Sequence, residues 1–290
     1  MSESRIADRH YCSQMCTDPM GGTSDLVDVW LLLEYRPTWR AKALAASDLA
    51  QPAKGWVQQS VAALAEGGLK ARPQFVRQPE IDRDHVRLLV AVAGAMWEFT
   101  GTGYDFLQGL DVAAAAQRGT VAQLPGARRV VEPHYFVCTN GQRDLCCARF
   151  GLPVYNGLRE AVGERAWQVS HLGGHRFAPN VLVLPDGLLY GRVSPEQLAG
   201  FVAVVEGGQI DFAHLRGRSC YPKHVQAAEA FAARADLRLL HVEGDERAAR
   251  ITFAAPGEQL KVAVEQSEPQ SVLTSCGDTA PSEVIAYRRV

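Results

Sequence analysis

The order in which strand and helix signals follow one another constrains this chain more than any single residue, because the order comes twice. From residue 29, VWLLLEY is a short apolar run of the buried-strand kind. WVQQSVAALAEG then carries apolar residues at helical spacing and stops at a glycine. PQFVRQP, HVRLLVAVA and MWEFTG read as strands, and YDFLQGLDVAAAAQ as a helix. After a turn-rich linker around 123–131 the series resumes: HYFVCTN a strand, YNGLREAVGE a helix, AWQVSH a strand. NVLVLPDGLLYGRV is a hairpin turning at Pro185-Asp186-Gly187, and PEQLAGFVAVVEG is a helix with proline in its first turn. Matching the two series element by element gives offsets of roughly 90–105 residues, a period that suggests an internal duplication.

A βαβ unit followed by a ββα unit is the core arrangement of a thioredoxin-like sheet. The chain is therefore expected to be α/β, with tandem thioredoxin-like domains at 1–124 and 125–210. From residue 211 the pattern changes. YPKHVQAAEAFAARA reads as a helix, and LRLLHVEG, ARITFAA, LKVAVEQ, SVLTSC and EVIAYRRV as short strands, giving a small C-terminal α+β extension over 211–290. With 290 residues, 47% of them hydrophobic, the chain has ample material for such cores.

Charge and hydropathy exclude several roles. A net charge of −2 offers no basic field for a nucleic-acid backbone. No apolar run is long enough for a membrane span, and MSESRIADRHYCSQMC lacks the apolar core of a signal peptide. The expected compartment is the cytoplasm, where thiols stay reduced. Seven cysteines (12, 16, 138, 146, 147, 220 and 276) then point to metal or redox chemistry rather than a disulfide framework. No G-x-G-x-x-G follows a strand, so a flavin or nicotinamide dinucleotide is not expected, and electrons would come from a partner protein.

The chemistry concentrates between Cys138 and His175. Cys138 ends the strand HYFVC, and the turn TNGQRD leads to Leu145-Cys146-Cys147. Just past AWQVS comes His171-Leu172-Gly173-Gly174-His175. Two parallel strands of one βαβ unit end on the same sheet edge, so the fold brings the cysteine loop to the histidine loop. Two thiolates and two imidazoles suit either zinc or a 2Fe–2S cluster. Cys138 and Cys147 stand nine residues apart, wider than zinc-finger cysteines, which favours the larger group. Gly173 and Gly174 suit a close backbone approach to that group, with amides available to bridging sulfides.

HYFVCTNGQRDLCCARFG, WQVSHLGGHRFAPNVLVLPDGLLYGRV and RGRSCYPKHVQAAEAF together resemble the sucrase/ferredoxin-like family of thioredoxin-like ferredoxins. An early cysteine, GGTS and VWLLLEYRPTW extend the resemblance over nearly the whole chain. It implies an electron carrier whose 2Fe–2S cluster is bound by Cys138, Cys147, His171 and His175 and exchanges electrons with a redox partner protein. A cluster-dependent redox enzyme or sensor and a structural zinc protein are the alternatives. No carboxylate pair supports glycoside hydrolysis, despite the family's name. Either Cys146 or Cys147 could reach a metal; the resemblance favours Cys147, which implies that Cys146 is a packed thiol on the other side of the loop. Cys12 and Cys16 lack the CxxC spacing of a dithiol motif, and Cys220 is expected to be a structural thiol. Arg216 and Arg218 are expected in a solvated loop. Cys276, His134, His214, His224 and His241 receive no role. The first repeat has no cysteine or histidine matching the cluster loops, which makes it a degenerate copy.

Overall fold

The computed structural model describes residues 11–290, so the polar start MSESRIADRH lies outside the described residues. A short helix α1 (Cys12–Met15) precedes the first strand β1 (Val29–Glu34), whose six residues are all buried. Helix α2 (Gln51–Glu66) crosses to the parallel strand β2 (Ala71–Arg77), with Leu33 level with Phe75. The antiparallel hairpin β3 (Val86–Val92) and β4 (Ala95–Gly101) follows. The expected single helix over YDFLQGLDVAAAAQ divides into a 3-10 turn, Asp105–Gly109, and helix α3 (Val112–Arg118). The division falls at Asp111, whose carboxylate accepts from Ala114 N–H and starts the second piece as its N-cap.

The second series is β5 (Arg128–Val130), β6 (His134–Cys138), α4 (Leu145–Val162), β7 (Ala166–Val169), β8 (Asn180–Leu184), β9 (Leu188–Gly191), α5 (Leu198–Glu206) and β10 (Leu215–Arg218). All ten strands form one sheet in the order β10-β9-β8-β6-β7-β2-β1-β3-β4-β5. Within it, β7-β6-β8-β9 and β2-β1-β3-β4 repeat one order with the same parallel and antiparallel pairings. The repeats meet edge to edge, β2 against β7, with Val76 opposite Val169 and Arg77 opposite Gln168.

The boundaries drawn from sequence do not coincide with sheet boundaries. β5 lies beyond Leu124 yet pairs with β4, and β10 lies beyond Asp211 yet pairs with β9. The alternation of strand side chains explains how the layers form. Val29, Leu31, Leu33, Leu88 and Val90 pack under α2 and α3. Tyr135, Val137, Val181 and Val183 pack under α4 and α5. The intervening residues of both repeats enter a third cluster. It joins Trp30, Leu32, Val76, Leu89 and Met96 to Phe136, Cys138, Trp167, Val169 and Leu182. The helix-free faces of the two halves are thus buried in common.

Beyond the sheet, α6 (Lys223–Ala232) packs on four antiparallel strands. These are β11 (Arg238–Gly244), β12 (Ala248–Ala255), β13 (Glu258–Gln266) and, after the pair β14 (Gln270–Val272) and β15 (Ser282–Val284), β16 (Tyr287–Arg289). Among the described residues no helix is long and apolar enough to cross a membrane.

Candidate metal centre

Cys138 alternates with Val137 along β6, and this turns it with Phe136 toward the cluster shared by the two halves. Its strand runs parallel to β7, with Cys138 level with Val169, so the two strands leave the sheet at the same edge. The histidine loop starts at once from that edge. Ser170 anchors it to the first repeat, its N–H donating to Phe75 O and its hydroxyl to Gln74 Oε1, at 2.9 and 2.7 Å.

Cys147 is not in a loop. Helix α4 begins at Leu145, ahead of the expected YNGLREAVGE, because Asp144 caps it by accepting from Cys146 N–H at 2.9 Å. Pro153 lies inside this helix. Cys146 and Cys147 therefore occupy its first turn, where successive residues project in different directions. Cys147 faces β6 and the histidine loop, while Cys146 faces Cys12 and Cys276.

Cys138 and Cys147 are each 1% exposed. Cys147 Sγ lies 3.3 Å from His175 Nδ1. The His171 and His175 rings stack with centroids 4.9 Å apart and planes 28° apart. His171 Nδ1 is buried and has no hydrogen-bond partner among the described residues. The structure thus brings all four sequence-selected side chains to one place.

The electrostatics suit a cation. The neighbouring Cys147 thiol, and then the His171 ring, hold the Cys138 thiol well below its ordinary value against the opposing effect of burial. Cys147 is pushed up by the neighbouring Cys138 thiol and by burial. One thiolate forms readily, and the second needs a positive charge beside it. Burial also lowers His175, which keeps its imidazole neutral and able to bind a metal. Two soft thiols, two imidazoles and an orphaned buried nitrogen fit a 2Fe–2S group with two cysteine and two histidine ligands.

Arg216 corrects the expectation of a solvated loop. It lies on β10 and is 2% exposed. Its Nη1 donates to Gly173 O at 2.9 Å and Asn180 Oδ1 at 2.8 Å, and its Nη2 donates to Thr23 O at 2.8 Å. Burial draws its pKa down to about 9, so it remains charged at neutral pH. A Cβ on Gly174, whose φ is +68°, would run into this guanidinium. The tight approach expected between the glycines and the metal is thus an approach to Arg216 and, at Gly173, to Asp25 and Arg72. Arg218 is likewise on β10, and it donates to Glu229 at 3.0 Å. Sequence reasoning missed Arg216 because RGR is too short and polar a strand to stand out.

Altered inheritance of mitochondria protein 32 from Debaryomyces hansenii is 35% identical over 85 residues, 26% of this chain and 31% of its own length. Its namesake from Clavispora lusitaniae is 31% identical over 100 residues, 27% of this chain and 37% of its own. The matches span about a third of these relatives. Among solved structures, a thioredoxin-like [2Fe-2S] ferredoxin from Aquifex aeolicus matches at 22% identity and a TM-score of 0.28, over 32% of this chain and 97% of that one. The model of the sucrase/ferredoxin-like family matches residues 20–217, most of the chain. The chain belongs to the sucrase/ferredoxin-like family.

Proposed function

We propose that this protein is an electron carrier holding one 2Fe–2S cluster through Cys138, Cys147, His171 and His175. The observation that carries the reading is the orphaned, buried His171 Nδ1, in a side chain grouped with two thiols and a second imidazole. An unpaired polar atom inside a protein costs about 1–3 kcal/mol, which coordination would remove. When bound, the cluster supplies a site that takes up and releases one electron.

The chain's own residues do the rest. Cys138 and Cys147 supply thiolates from a strand end and a helix start, both inside the shared core. His171 and His175 are only half-buried, so electrons would pass to a redox partner protein on the histidine side. Arg216 sets a positive charge behind their loop, which favours the reduced state. In this reading the two repeats are tandem thioredoxin-like units. The first is degenerate: β1, the counterpart of β6, ends on Glu34 where β6 ends on Cys138. Unpaired thiols suit the reducing cytoplasm.

The test is anaerobic purification of the full chain with iron and acid-labile sulfide counted and the visible and paramagnetic resonance spectra recorded. Two irons and two sulfides per chain are expected. Alanine at Cys138, Cys147, His171 or His175 should strip the cluster, while Cys146→Ala keeps it. Zinc at these four residues with no sulfide would remove the electron-transfer reading.

A further inference from the structure

Three cysteines with no part in that site meet on the other side of Asp144. Cys12 opens α1, Cys146 is the second residue of α4, and Cys276 lies in the connection between β14 and β15. Their sulfurs are separated by 3.5 Å (Cys12 to Cys146), 3.0 Å (Cys146 to Cys276) and 3.7 Å (Cys276 to Cys12). In sequence the same pairs lie 134, 130 and 264 residues apart. The first described helix and the β14–β15 connection are thus gathered at the start of one central helix. One carboxylate organises the approach. Asp144 accepts from Cys146 N–H through Oδ1 at 2.9 Å, and from Ser275 Oγ and Cys276 N–H through Oδ2 at 2.7 and 2.9 Å. Donor atoms of Asp144 and the three cysteines all lie within 4.8 Å of one another.

The separations discriminate among ways of using three thiols. A disulfide closes to about 2.05 Å and engages only two of them. An iron–sulfur cluster spreads its cysteines over different irons and needs sulfurs farther apart. Thiolates on one tetrahedral zinc, with bonds of about 2.3 Å, lie roughly 3.8 Å from one another. Two edges of the observed triangle, 3.5 and 3.7 Å, are close to this last size, and the third, 3.0 Å, is shorter. Face-to-face thiols offer one another only weak hydrogen bonds, so as thiols they give little reason for three distant segments to converge.

We infer that Cys12, Cys146 and Cys276 bind one zinc ion, with Asp144 supplying the fourth donor. Three thiolates and one carboxylate are a closed tetrahedral set of the structural kind. The ion fastens the first described helix and the β14–β15 connection to the turn of α4 that also carries Cys147. This site is independent of the iron reading and stands if that reading fails.

Metal analysis of the full-length protein, purified without chelator and without oxygen, tests the inference directly. One zinc per chain is expected. It should persist in Cys138→Ala and His171→Ala, which lose iron, and be lost in Cys12→Ser and Cys276→Ser, which keep iron. Cobalt(II) added to zinc-free full-length protein needs no substitution. It should produce sulfur-to-cobalt charge transfer and tetrahedral d–d bands that zinc then bleaches. A folded protein that retains no zinc and yields no such bands would overturn the inference. So would copper in place of zinc, or a Cys146–Cys276 disulfide found by mass spectrometry of the native chain. Zinc lost in Cys138→Ala or His171→Ala but kept in Cys12→Ser would assign the ion to the other four residues and overturn both readings.

Discussion

A guanidinium with its donors committed inside the protein leaves several unsatisfied acceptors when it is removed. For Arg216 these are Gly173 O, Asn180 Oδ1 and Thr23 O, two of which shape the histidine loop or its support. Breaking such a buried charged network costs about 3–5 kcal/mol. The same side chain is a positive charge near Cys138. Arg216→Gln should therefore lower the reduction potential of the loaded protein by roughly tens of millivolts, since about 59 mV corresponds to a tenfold change for one electron. Arg216→Lys should recover the charge but not the fork of hydrogen bonds, so its potential returns further than its melting temperature. Equal potentials in all three proteins would dismiss the electrostatic role.

His134 makes a second residue-scale prediction. It accepts from Trp167 Nε1 at 3.3 Å and is 8% exposed, and burial lowers its pKa from 6.5 to about 4, against the opposing pull of Glu98. Between those values the unfolded chain binds a proton at His134 and the folded chain does not. Stability from this residue is therefore complete above pH 6.5 and is lost as pH falls toward 4. At about 1.4 kcal/mol per pKa unit the loss approaches ~3 kcal/mol. Urea unfolding across that range should show a shallower dependence in His134→Gln, whose amide oxygen can still accept from Trp167. An unchanged slope would assign the acid sensitivity to other groups.

At the scale of elements, the centre depends on how closely α4 lies on β6. Gly151 stands one turn beyond Cys147 on the same helix face, and a Cβ there would meet the carbonyl oxygen of Cys138. Gly151→Ala has to push the helix off the strand, separating Cys147 from Cys138. The expected cost is about 1–3 kcal/mol, with faster iron release. Gly200 in α5 has nothing within 4 Å of an added Cβ, so Gly200→Ala should leave iron retention alone and raise stability by up to about 1 kcal/mol. Similar iron loss from both variants would mean that helix position does not matter. The helix itself was only half legible. Its apolar spacing after Tyr155 announces it, but its first turn rests on the Asp144 cap, and Pro153 hides the continuity. The apolar strand runs were clearer, because a buried strand declares itself in five or six consecutive residues. The short polar strand β10 was silent for the same reason.

Over the whole molecule, the third core cluster decides how separable the halves are. Removing residues 1–124 would take away Trp30, Leu32, Val76, Leu89, Ala91 and Met96, and would bare the face formed by Phe136, Trp167, Val169 and Leu182. It would also unpair the β7 edge from β2. A chain starting at Pro125 should therefore aggregate. It should load iron only when the first half is supplied as a separate chain. A monodisperse, iron-loaded fragment would show that the second half stands alone. The family resemblance favoured Cys147 over Cys146; from the sequence by itself came the repeated element order, Cys138 at one strand end and the His171–His175 pair just past the next. Those are local properties, carried by hydrophobic period, turn residues and short intervals. Only the tertiary structure decided that the halves share one sheet and one apolar cluster, that Arg216 is buried behind the histidine loop, and that Cys12 and Cys276 meet at Cys146. Each of these depends on side chains brought together from distant parts of the chain, and no pattern along a single segment records which face will meet which.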